Sequence, residues 1–582
     1  MQPKLGMILF AALVPALAAQ QAQQPSVDAQ PQPGEVVPAR PGDEGAPRYH
    51  VDLPPDLANL PAAPMPVFSG VHRGPNLAVT FNPATGEETF LAVPEGPMAP
   101  YGWVTGSKVA DDVNESLMRT FGGFTTITSQ SFPWSAQCYM SFTQGGSGFR
   151  CSGTLIDART MITAGHCVHE GPGGTWSGSV VVTPAYDGDA NAFGSANGIH
   201  LGSWTGWTVS GSWSGDQGYV RLDRPVGALT SWLGYGYNSS NSFFDTSTFN
   251  MAGYPGFAGS SLQYAWGDFD RVYTDTMEAD FSPTQPWIGG ASGSGVYWIN
   301  GSGNRYVYGN CSYSGPWPYT TSEYFGACRM TSSKFTYVRD TFIPGAYGSV
   351  VDYVPLDTNV GAGPVRAGAL TTGLNYLVFN NSSANPASAT VDMDVYLSSN
   401  DNISTADTKL SDQFFTWDFA AKSSVRVNGV NPTIPVSTTP GSYFVGVIVD
   451  EVDADDLNDD TDGWDAAPIT IIEPVNSISL TGPASGLNGS TITLSYSGAP
   501  ASAPFTLYRS RNLNGSTING HPFSVGAPLA SAKTGTTGAA GSGTINTKIM
   551  GTGLWYYELR VDRTVGATVY THDSNAKRVN GL

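Results

Sequence analysis

All five cysteines of this 582-residue chain lie between Cys138 and Cys328, and the long remainder after Cys328 contains none. Cysteines confined to one segment are typical of a single disulfide-stapled domain in an exported protein. Because five is an odd number, one thiol is left over, and we expect it to be Cys138. Domain-size statistics for this length indicate roughly three to five folded units. We therefore expect one stapled domain within a multidomain chain.

The composition favours an all-β protein. The chain contains 70 glycines and 41 prolines, with 12% aromatic and only 13% charged residues, a balance that suits short strands joined by tight turns. Its formal charge of -20 arises from 47 acidic and 27 basic residues. Such a surface repels phosphate backbones, so we expect no nucleic-acid partner.

The first residues carry an export signal. Lys4 precedes the apolar run Leu5–Leu17, and Ala16-Leu17-Ala18 has the small-x-small pattern read by signal peptidase. We predict a signal peptide over residues 1–19, with cleavage near Ala18 or Ala19. The run is shorter than the ~20 residues that cross a bilayer, and no later stretch qualifies. We therefore expect a secreted, extracellular protein without a membrane span.

Residues 20–120 are interpreted as a leader or pro-region. Residues 20–66 are rich in Pro, Ala and Gln, which is typical of a loosely ordered segment. Further on, Leu77–Phe81 and Thr89–Val93 are short apolar runs separated by the turn-rich stretch Asn82–Gly86. This arrangement predicts a β-hairpin.

A histidine motif follows. The segment Cys151–Ile156 leads through the apolar strand Thr160–Ile162 into Thr163–Cys167, with the sequence TAGHC. This pattern resembles the histidine motif of the trypsin and chymotrypsin family. The resemblance implies that His166 is catalytic and that Cys151 pairs with Cys167, a bridge that stabilises the domain by ~3 kcal/mol in the chain-entropy model. The other histidines sit in no comparable motif.

The stretch Gly289–Val296, with the sequence GGASGSGV, is the candidate nucleophile turn. It resembles the Gly-x-Ser-Gly-Ser turn of the bacterial glutamyl-endopeptidase branch of that family. The resemblance implies that Ser292 is the nucleophile and that the amides of Gly290 and Ser292 form the oxyanion hole. On composition alone, a flexible Gly/Ser loop explains this stretch equally well.

The third candidate residue is Asp216. The segment Asp216–Leu222 resembles the family's aspartate followed by an alternating strand, although an aspartate at a strand start is otherwise usually a turn residue. The chain order His166, Asp216, Ser292 is that of chymotrypsin. The resemblance implies a chymotrypsin-like double β-barrel over residues 121–345, closed by a helix near Ser332–Phe342. It also implies a serine endopeptidase that acts on protein or peptide substrates without cofactor or metal.

The sequence departs from the family at three positions. Ala291 stands where trypsin-like enzymes carry the aspartate that receives the new amino terminus, and Pro286 replaces the aspartate that selects Lys and Arg. The strand Tyr308–Tyr313 lacks the histidine of the glutamyl branch. The residue preference therefore stays open. As in many relatives, Cys311 is expected to pair with Cys328.

Two further β-modules are predicted downstream. In residues 350–475, Val391, Met393, Val395 and Leu397 alternate with other residues, and Gly441–Asp450 supplies another strand. The run Tyr396–Asn400, followed by Asp407 and Pro440–Tyr443, resembles CARDB-type accessory modules, which implies a β-sandwich that binds a surface ligand or acts as a spacer. Residues 476–582, with strands at Thr491–Tyr496 and Leu554–Leu559, are interpreted as an immunoglobulin-like β-sandwich.

An acidic run, Asp453–Asp465, raises the question of a calcium site. Asn458, Asp460, Asp462 and Gly463 match the start of an EF-hand loop. The twelfth position is Ile469, so the bidentate glutamate is missing. A solvated acidic loop is the favoured interpretation over a calcium site.

Two functions remain open at this point. One is an active serine endopeptidase with accessory β-domains. The other is a catalytically inactive, protease-like adhesion or binding protein. All three catalytic residue types are present, which favours the enzyme.

Overall fold

The fold is taken from a computed structural model. It describes residues 60–66, 69–93, 100–107, 124–188, 192–280, 289–316, 323–361, 363–386, 389–417, 419–449, 459–472, 478–513, 516–518, 521–523, 529–565 and 568–582. The predicted signal peptide, most of the predicted loose leader and Pro286 lie outside the described residues.

The first 350 residues contain short strands and a few short helices. The strands are β1 Ala78–Asn82, β2 Glu87–Leu91, β3 Tyr101–Val104, β4 Thr125–Thr126, β5 Gln137–Gln144, β6 Ser147–Asp157, β7 Thr160–Thr163, β8 Gly178–Pro184, β9 Ala196–Trp204, β10 Gly218–Leu222, β11 Gly234–Asn238, β12 Phe249–Gly253, β13 Gln263–Gly267, β14 Arg271–Val272, β15 Thr276–Asp280, β16 Gly295–Ile299, β17 Arg305–Pro316 and β18 Glu323–Arg329. The helices are α1 Gly165–Val168, α2 Thr205–Thr208, α3 Gly227–Thr230, α4 Asn241–Thr246 and α5 Ser332–Tyr337.

The first sheet closes on itself. Its strand order is β10-β7-β6-β5-β8-β9, and β10 also pairs with β9, which completes a barrel. Closure joins the last strand of this sheet to the first and buries inward-facing residues such as Met140, Leu155 and Val220. The predicted hairpin is confirmed, because β1 and β2 pair and β1 extends the sheet along β9.

A second sheet follows the first barrel. It has the order β14-β15-β18-β17-β16-β12-β13-β4, with β11 attached to β17 and β3 attached to β11. Its apolar core includes Phe249, Met251, Val296 and Phe325. Strands of the predicted leader therefore extend both sheets, β1 on the first and β3 on the second.

The predicted closing helix is present. The helix α5 continues as a π-helical turn over Val338–Phe342. Its N-cap is Thr331, whose side chain accepts a hydrogen bond from the Lys334 amide. Tyr337 and Phe342 pack against Tyr219 of β10. The helical segment that follows the second sheet therefore contacts the first barrel.

The cysteine pairing is partly as predicted. Cys151 and Cys167 form a disulfide, and Cys138 is a buried thiol. The predicted Cys311–Cys328 bridge is wrong. In the ladder between β17 and β18, Cys311 lies opposite Ala327 whereas Cys328 lies opposite Asn310. Because directly opposed residues share a face and neighbours alternate, the two thiols point to opposite sides of the sheet.

Residues 353–472 form two sheets around one apolar core. The strands are β19 Tyr353–Asn359, β20 Val365–Arg366, β21 Leu374–Asn380, β22 Ala389–Ser398, β23 Thr408–Trp417, β24 Ser424–Val430, β25 Gly441–Val449 and β26 Ala467–Ile472. One sheet has the order β19-β21-β24 and the other β20-β26-β25-β22-β23. The predicted alternation is confirmed on β22, where Val391, Met393 and Val395 are buried.

The acidic run is only partly solvated. Asp465 is buried and forms an ion pair with Arg224 of the first barrel region, which contradicts a fully solvated loop. Burial, together with the neighbouring Asp462, raises the pKa of Asp460 to about 6. Residues 450–458 lie outside the described part of the chain.

Residues 478–582 also form two main sheets around a separate core. The strands are β27 Ser479–Thr481, β28 Ser485–Gly486, β29 Thr491–Ser497, β30 Pro504–Ser510, β31 Ser516–Ile518, β32 His521–Phe523, β33 Ala530–Thr536, β34 Gly543–Lys548, β35 Gly553–Val565, β36 Thr568–Asp573 and β37 Lys577–Gly581. Among the described residues, none of the helices has the length and apolar character needed to cross a membrane.

Candidate active site

His166 lies in the short helix α1, directly after β7. The disulfide between its neighbour Cys167 and Cys151 of β6 ties this helix to the barrel wall. The carbonyl of His166 accepts a hydrogen bond from Gln144 Nε2 at 2.9 Å. The imidazole packs edge-on against Trp207, with ring centroids 5.9 Å apart. Covalent and packing contacts therefore restrict both the backbone and the ring.

Asp216 is the direct partner of His166. Its Oδ2 lies 2.9 Å from His166 Nδ1, and its Oδ1 accepts a hydrogen bond from the His166 amide at 2.7 Å. The side chain is fully buried at the start of the turn that leads into β10. A buried carboxylate in this position fixes the imidazole orientation and can stabilise an imidazolium.

Ser292 lies on a tight loop before β16. Gly293, with φ +88°, donates its amide to Cys311 O at 2.8 Å, and Ser292 O accepts from the Ser152 amide at 2.8 Å. A Cβ on Gly293 would lie 2.1 Å from Thr163 Oγ1, so glycine is required by both conformation and space. The loop that carries Ser292 therefore packs closely against β7, the strand that leads to His166.

The Ser292 loop lies beside the short helix that carries His166. Cys167 Sγ lies 3.9 Å from Ser292 O, which places the serine beside the residue after His166. Ser292 Oγ and His166 Nε2 are both buried, and neither has a hydrogen-bond partner among the described residues. Long or unformed hydrogen bonds between a nucleophile and its base are common before substrate binds.

The amides proposed for the oxyanion hole are available. Gly290, with φ +100°, directs its carbonyl to Ser152 Oγ at 2.7 Å. The amides of Gly290 and Ser292 donate to no acceptor within the described part of the chain. Two uncommitted amides on either side of Ala291 can stabilise a developing oxyanion.

Comparison with known proteins supplies the decisive observation. Residues 121–283 match the family model described as trypsin. A glutamyl endopeptidase of Bacillus licheniformis is 29% identical over 176 residues, which is 30% of this chain and 52% of that protein.

The chain contains a trypsin-like serine peptidase domain.

Two further relatives resemble this peptidase domain. A Bacillus subtilis protein named extracellular metalloprotease is 28% identical over 173 residues, 29% of this chain and 53% of that protein. A solved structure of a Glu endopeptidase aligns with 38% of this chain and with 95% of the endopeptidase chain. The sequence identity is 22% and the TM-score is 0.32. The chain spans about half the length of the two Bacillus relatives. The match to the trypsin family model and the closed sheet of β5–β10 support a chymotrypsin-like barrel fold for the peptidase domain.

Sequence reasoning missed two residues that contact Asp216 in the peptidase domain. Ser312 Oγ donates to Asp216 Oδ2 at 2.6 Å, and Asn310 Nδ2 donates to the Asp216 carbonyl at 3.0 Å. Both belong to β17, more than ninety residues after Asp216. No local pattern in the sequence of this strand marks either residue as a partner of Asp216.

One cluster of potential metal ligands occurs within the described residues. Ligand atoms of Cys151, His166 and Cys167 lie within 4.8 Å of one another. The two sulfur atoms are bonded to each other in the disulfide, so they cannot act as thiolate ligands. These three residues therefore do not form a metal site, and the ring of His166 keeps Asp216 as its partner.

Proposed function

We propose that this protein is a secreted serine endopeptidase that hydrolyses protein or peptide substrates through an acyl-enzyme. The observation that carries the proposal is the buried His166–Asp216 pair beside the Ser292 loop. In this mechanism His166 takes the Ser292 proton as the hydroxyl attacks the scissile carbonyl, and then returns it to the leaving amine.

The surrounding groups support each step. Asp216 holds the imidazole through Nδ1, which leaves Nε2 to face the nucleophile. The amides of Gly290 and Ser292 stabilise the tetrahedral oxyanion. Removal of one such donor typically lowers kcat about a hundredfold or more. Water then attacks the acyl-enzyme, with His166 again acting as the base.

The domain boundaries form part of the proposal. We assign residues 1–19 to a signal peptide, 20–120 to a leader, 121–345 to the peptidase domain, 350–475 to a CARDB-like sandwich and 476–582 to an immunoglobulin-like sandwich. The separate cores of the two C-terminal units support this division. The modules would bind a surface ligand or space the peptidase from one. The Bacillus subtilis relative is named an extracellular metalloprotease, which agrees with secretion.

An active-site-directed fluorophosphonate tests the proposal. We expect the mature protein to be labelled and the Ser292→Ala variant to remain unlabelled. Ser294→Ala is the matched control, because Ser294 is equally buried two residues away and we assign it no chemical role. Failure of the mature, folded wild type to react would contradict the enzyme and favour the inactive binding protein. Cleavage of a peptide library would then give the residue preference.

A further inference from the structure

We propose that one end of the C-terminal unit, residues 478–582, binds the surface of a bilayer that contains anionic phospholipid. Such lipid is then the surface ligand that the proposed function leaves open, and the inference rests on that function only for export of the protein. We call the binding element the apolar tip. It is formed by the side chains of Leu487, Leu513, Met550 and Leu554.

The four side chains of the apolar tip are exposed. Their exposed fractions lie between 38% and 68%, whereas other large apolar side chains of this unit, such as Leu494 and Leu507, are buried in its core. An exposed leucine that stands alone needs no explanation. A group of exposed apolar side chains at one place is typical of an interaction site. Contacts between the turns that carry these four side chains place them at one end of the unit.

Hydrogen bonds join the first two turns. The Gly489 amide donates to Ile549 O at 2.9 Å, and the Ile549 amide donates to Ser490 O at 3.1 Å. The turn that carries Leu487 therefore lies directly beside Met550, the residue after Ile549.

A third turn joins them through Arg511. The turn between β34 and β35 runs from Met550 to Leu554. A Cβ on Gly551 would lie 2.9 Å from Arg511 Nη2, so the Arg511 side chain reaches this turn. Leu513 follows Arg511 by two residues. All four apolar side chains therefore belong to the same end of the C-terminal unit.

Cations surround the apolar tip. The guanidinium carbons of Arg511 and Arg509 lie 4.6 Å and 6.0 Å from the ring centre of Trp555. Lys548 is exposed and lies two residues before Met550. Within the described part of this unit, an ion pair joins β35 to β36, but these three cations form none. The end of the unit that carries the apolar tip is therefore positively charged.

The few acidic residues of the C-terminal unit do not neutralise these cations. The unit contains eight of the 27 basic residues of the chain but only three of its 47 acidic ones. Glu558 is buried, and Asp573 is paired with Arg560. Asp562 lies nine residues along β35 from Gly553, which is about 30 Å of strand. That distance exceeds the Debye length of about 8 Å at physiological salt.

The acidic remainder of the chain joins this unit away from the apolar tip. Ile478 bridges to Ser574, and the Ser574 amide donates to Leu559 O at 2.9 Å. Leu559 lies six residues along β35 from Gly553, about 20 Å from the tip. Salt screens charges over such a distance. An anionic surface can therefore approach the tip although the chain as a whole has a formal charge of -20.

The chemistry of the turns fits a bilayer. Their sequences are LNGS over Leu487–Ser490 and MGTGL over Met550–Leu554, with no acidic residue. Small uncharged turns with aliphatic side chains can enter the boundary between head groups and acyl chains, ~5–10 Å deep, while neighbouring arginines stay at the phosphates. Trp555 is half-buried beside them, and tryptophan is favoured at this boundary. An anionic bilayer supplies both the apolar layer and the negative charge that match the tip.

The test is sedimentation of the full chain with sucrose-loaded vesicles of phosphatidylcholine, alone or with about one third phosphatidylglycerol. Met550→Asp places a negative charge in the apolar tip. Its matched control is Phe414→Asp, because Phe414 is equally exposed on β23 of the preceding unit. Arg511→Glu reverses a cation beside the tip, and Lys533→Glu is its control on the edge strand β33.

We expect both tip variants to lower the apparent affinity for the anionic vesicles about tenfold or more, because they remove apolar contact or attraction to phosphate. Both controls should change it less than about twofold. The wild type should bind the neutral vesicles at least about tenfold more weakly than the anionic ones. Thermal melting verifies that each variant is folded.

Fluorophosphonate labelling of Ser292 in the same samples separates this inference from the peptidase proposal. The inference alone is wrong if labelled wild type stays in the supernatant with anionic vesicles, or if Met550→Asp and Phe414→Asp bind them equally well. It is also wrong if the tip instead forms dimers that Met550→Asp abolishes, or if the chain binds a soluble sulfated polysaccharide but no vesicles. Vesicle binding by a wild type that is never labelled would contradict the peptidase proposal alone.

Discussion

Gln217 Nε2 donates a hydrogen bond to Asn310 Oδ1 at 3.0 Å, which joins the residue after Asp216 to the strand β17 of the second sheet. Both side chains are fully buried. Gln217 in turn accepts from Tyr219 OH, and Asn310 Nδ2 donates to the Asp216 carbonyl. This satisfied polar network crosses between the two sheets and positions the backbone of Asp216.

The first prediction concerns this network. Asn310→Leu removes the donor to the Asp216 carbonyl and leaves the Gln217 amide unpaired, so we expect kcat to fall about tenfold with KM nearly unchanged. Asn250→Leu is the matched control, because Asn250 is equally buried but its side chain accepts a hydrogen bond from Tyr264 OH, away from His166, Asp216 and Ser292. Peptidase kinetics and thermal melting of both variants distinguish positioning from general stability. Equal kcat values in the two variants would contradict the positioning role.

The second prediction concerns Ser312. Its hydroxyl donates to Asp216 Oδ2, and a charge-assisted hydrogen bond to a carboxylate is worth about 1.5–3 kcal/mol. We expect Ser312→Ala to lower kcat by about tenfold, because Asp216 gains freedom to turn away from His166. Ser135→Ala removes an equally buried hydroxyl that bonds only to Thr230 O, and it should leave kcat unchanged. Steady-state kinetics on both variants provides the measurement.

The third prediction concerns the ion pair between Arg224 and Asp465. The guanidinium contacts both carboxylate oxygens, and the two side chains are mostly buried. Asp465→Ala leaves a buried arginine without its partner and should destabilise the protein by about 3–5 kcal/mol. The double variant Arg224→Met/Asp465→Leu should recover much of that loss, because it buries no unpaired charge. Denaturant unfolding gives the free energy of unfolding of both variants. A double variant less stable than Asp465→Ala would refute the prediction.

The fourth prediction is a pH dependence of the C-terminal unit. Burial, with the charges of Arg366 and Arg563, lowers the pKa of His572 to about 4 from an ordinary 6.5. Between these values the unfolded chain binds more protons than the folded one, so stability should decrease as the pH falls from about 6.5 towards 4.

Calorimetry of the full chain across this range measures that effect. The variant His572→Leu has no titrating side chain at this position, so it should flatten the pH dependence of the C-terminal unfolding transition. Above pH 7 the difference in unfolding free energy between wild type and variant should stay constant. An unchanged slope in the variant would show that another group controls the acid response.

Much of the peptidase domain could be predicted from local patterns. The hairpin β1–β2 depends on residues close in sequence, where spacing and residue type carry the information. The Cys151–Cys167 pairing and the helix α5 followed from the resemblance of the TAGHC segment and its neighbours to the trypsin family. The alternation on β22 likewise identified its buried face, because side chains on a strand alternate with a period of two.

The error in the cysteine pairing has a clear physical origin. Composition and family habit suggested a Cys311–Cys328 bridge, but strand register decides which side chains share a face. A shift of one residue in the β17–β18 ladder separates the two thiols, and no local pattern encodes that register.

The sequence by itself determined the chemical character of this protein: a histidine turn, a glycine-rich serine loop and an aspartate in the order of a trypsin-like peptidase. Only the tertiary structure decided which distant groups surround them, namely Ser312 and Asn310, which both donate hydrogen bonds to Asp216. Those contacts follow from barrel closure and strand register, which join residues far apart in the chain and leave no periodic trace in the sequence.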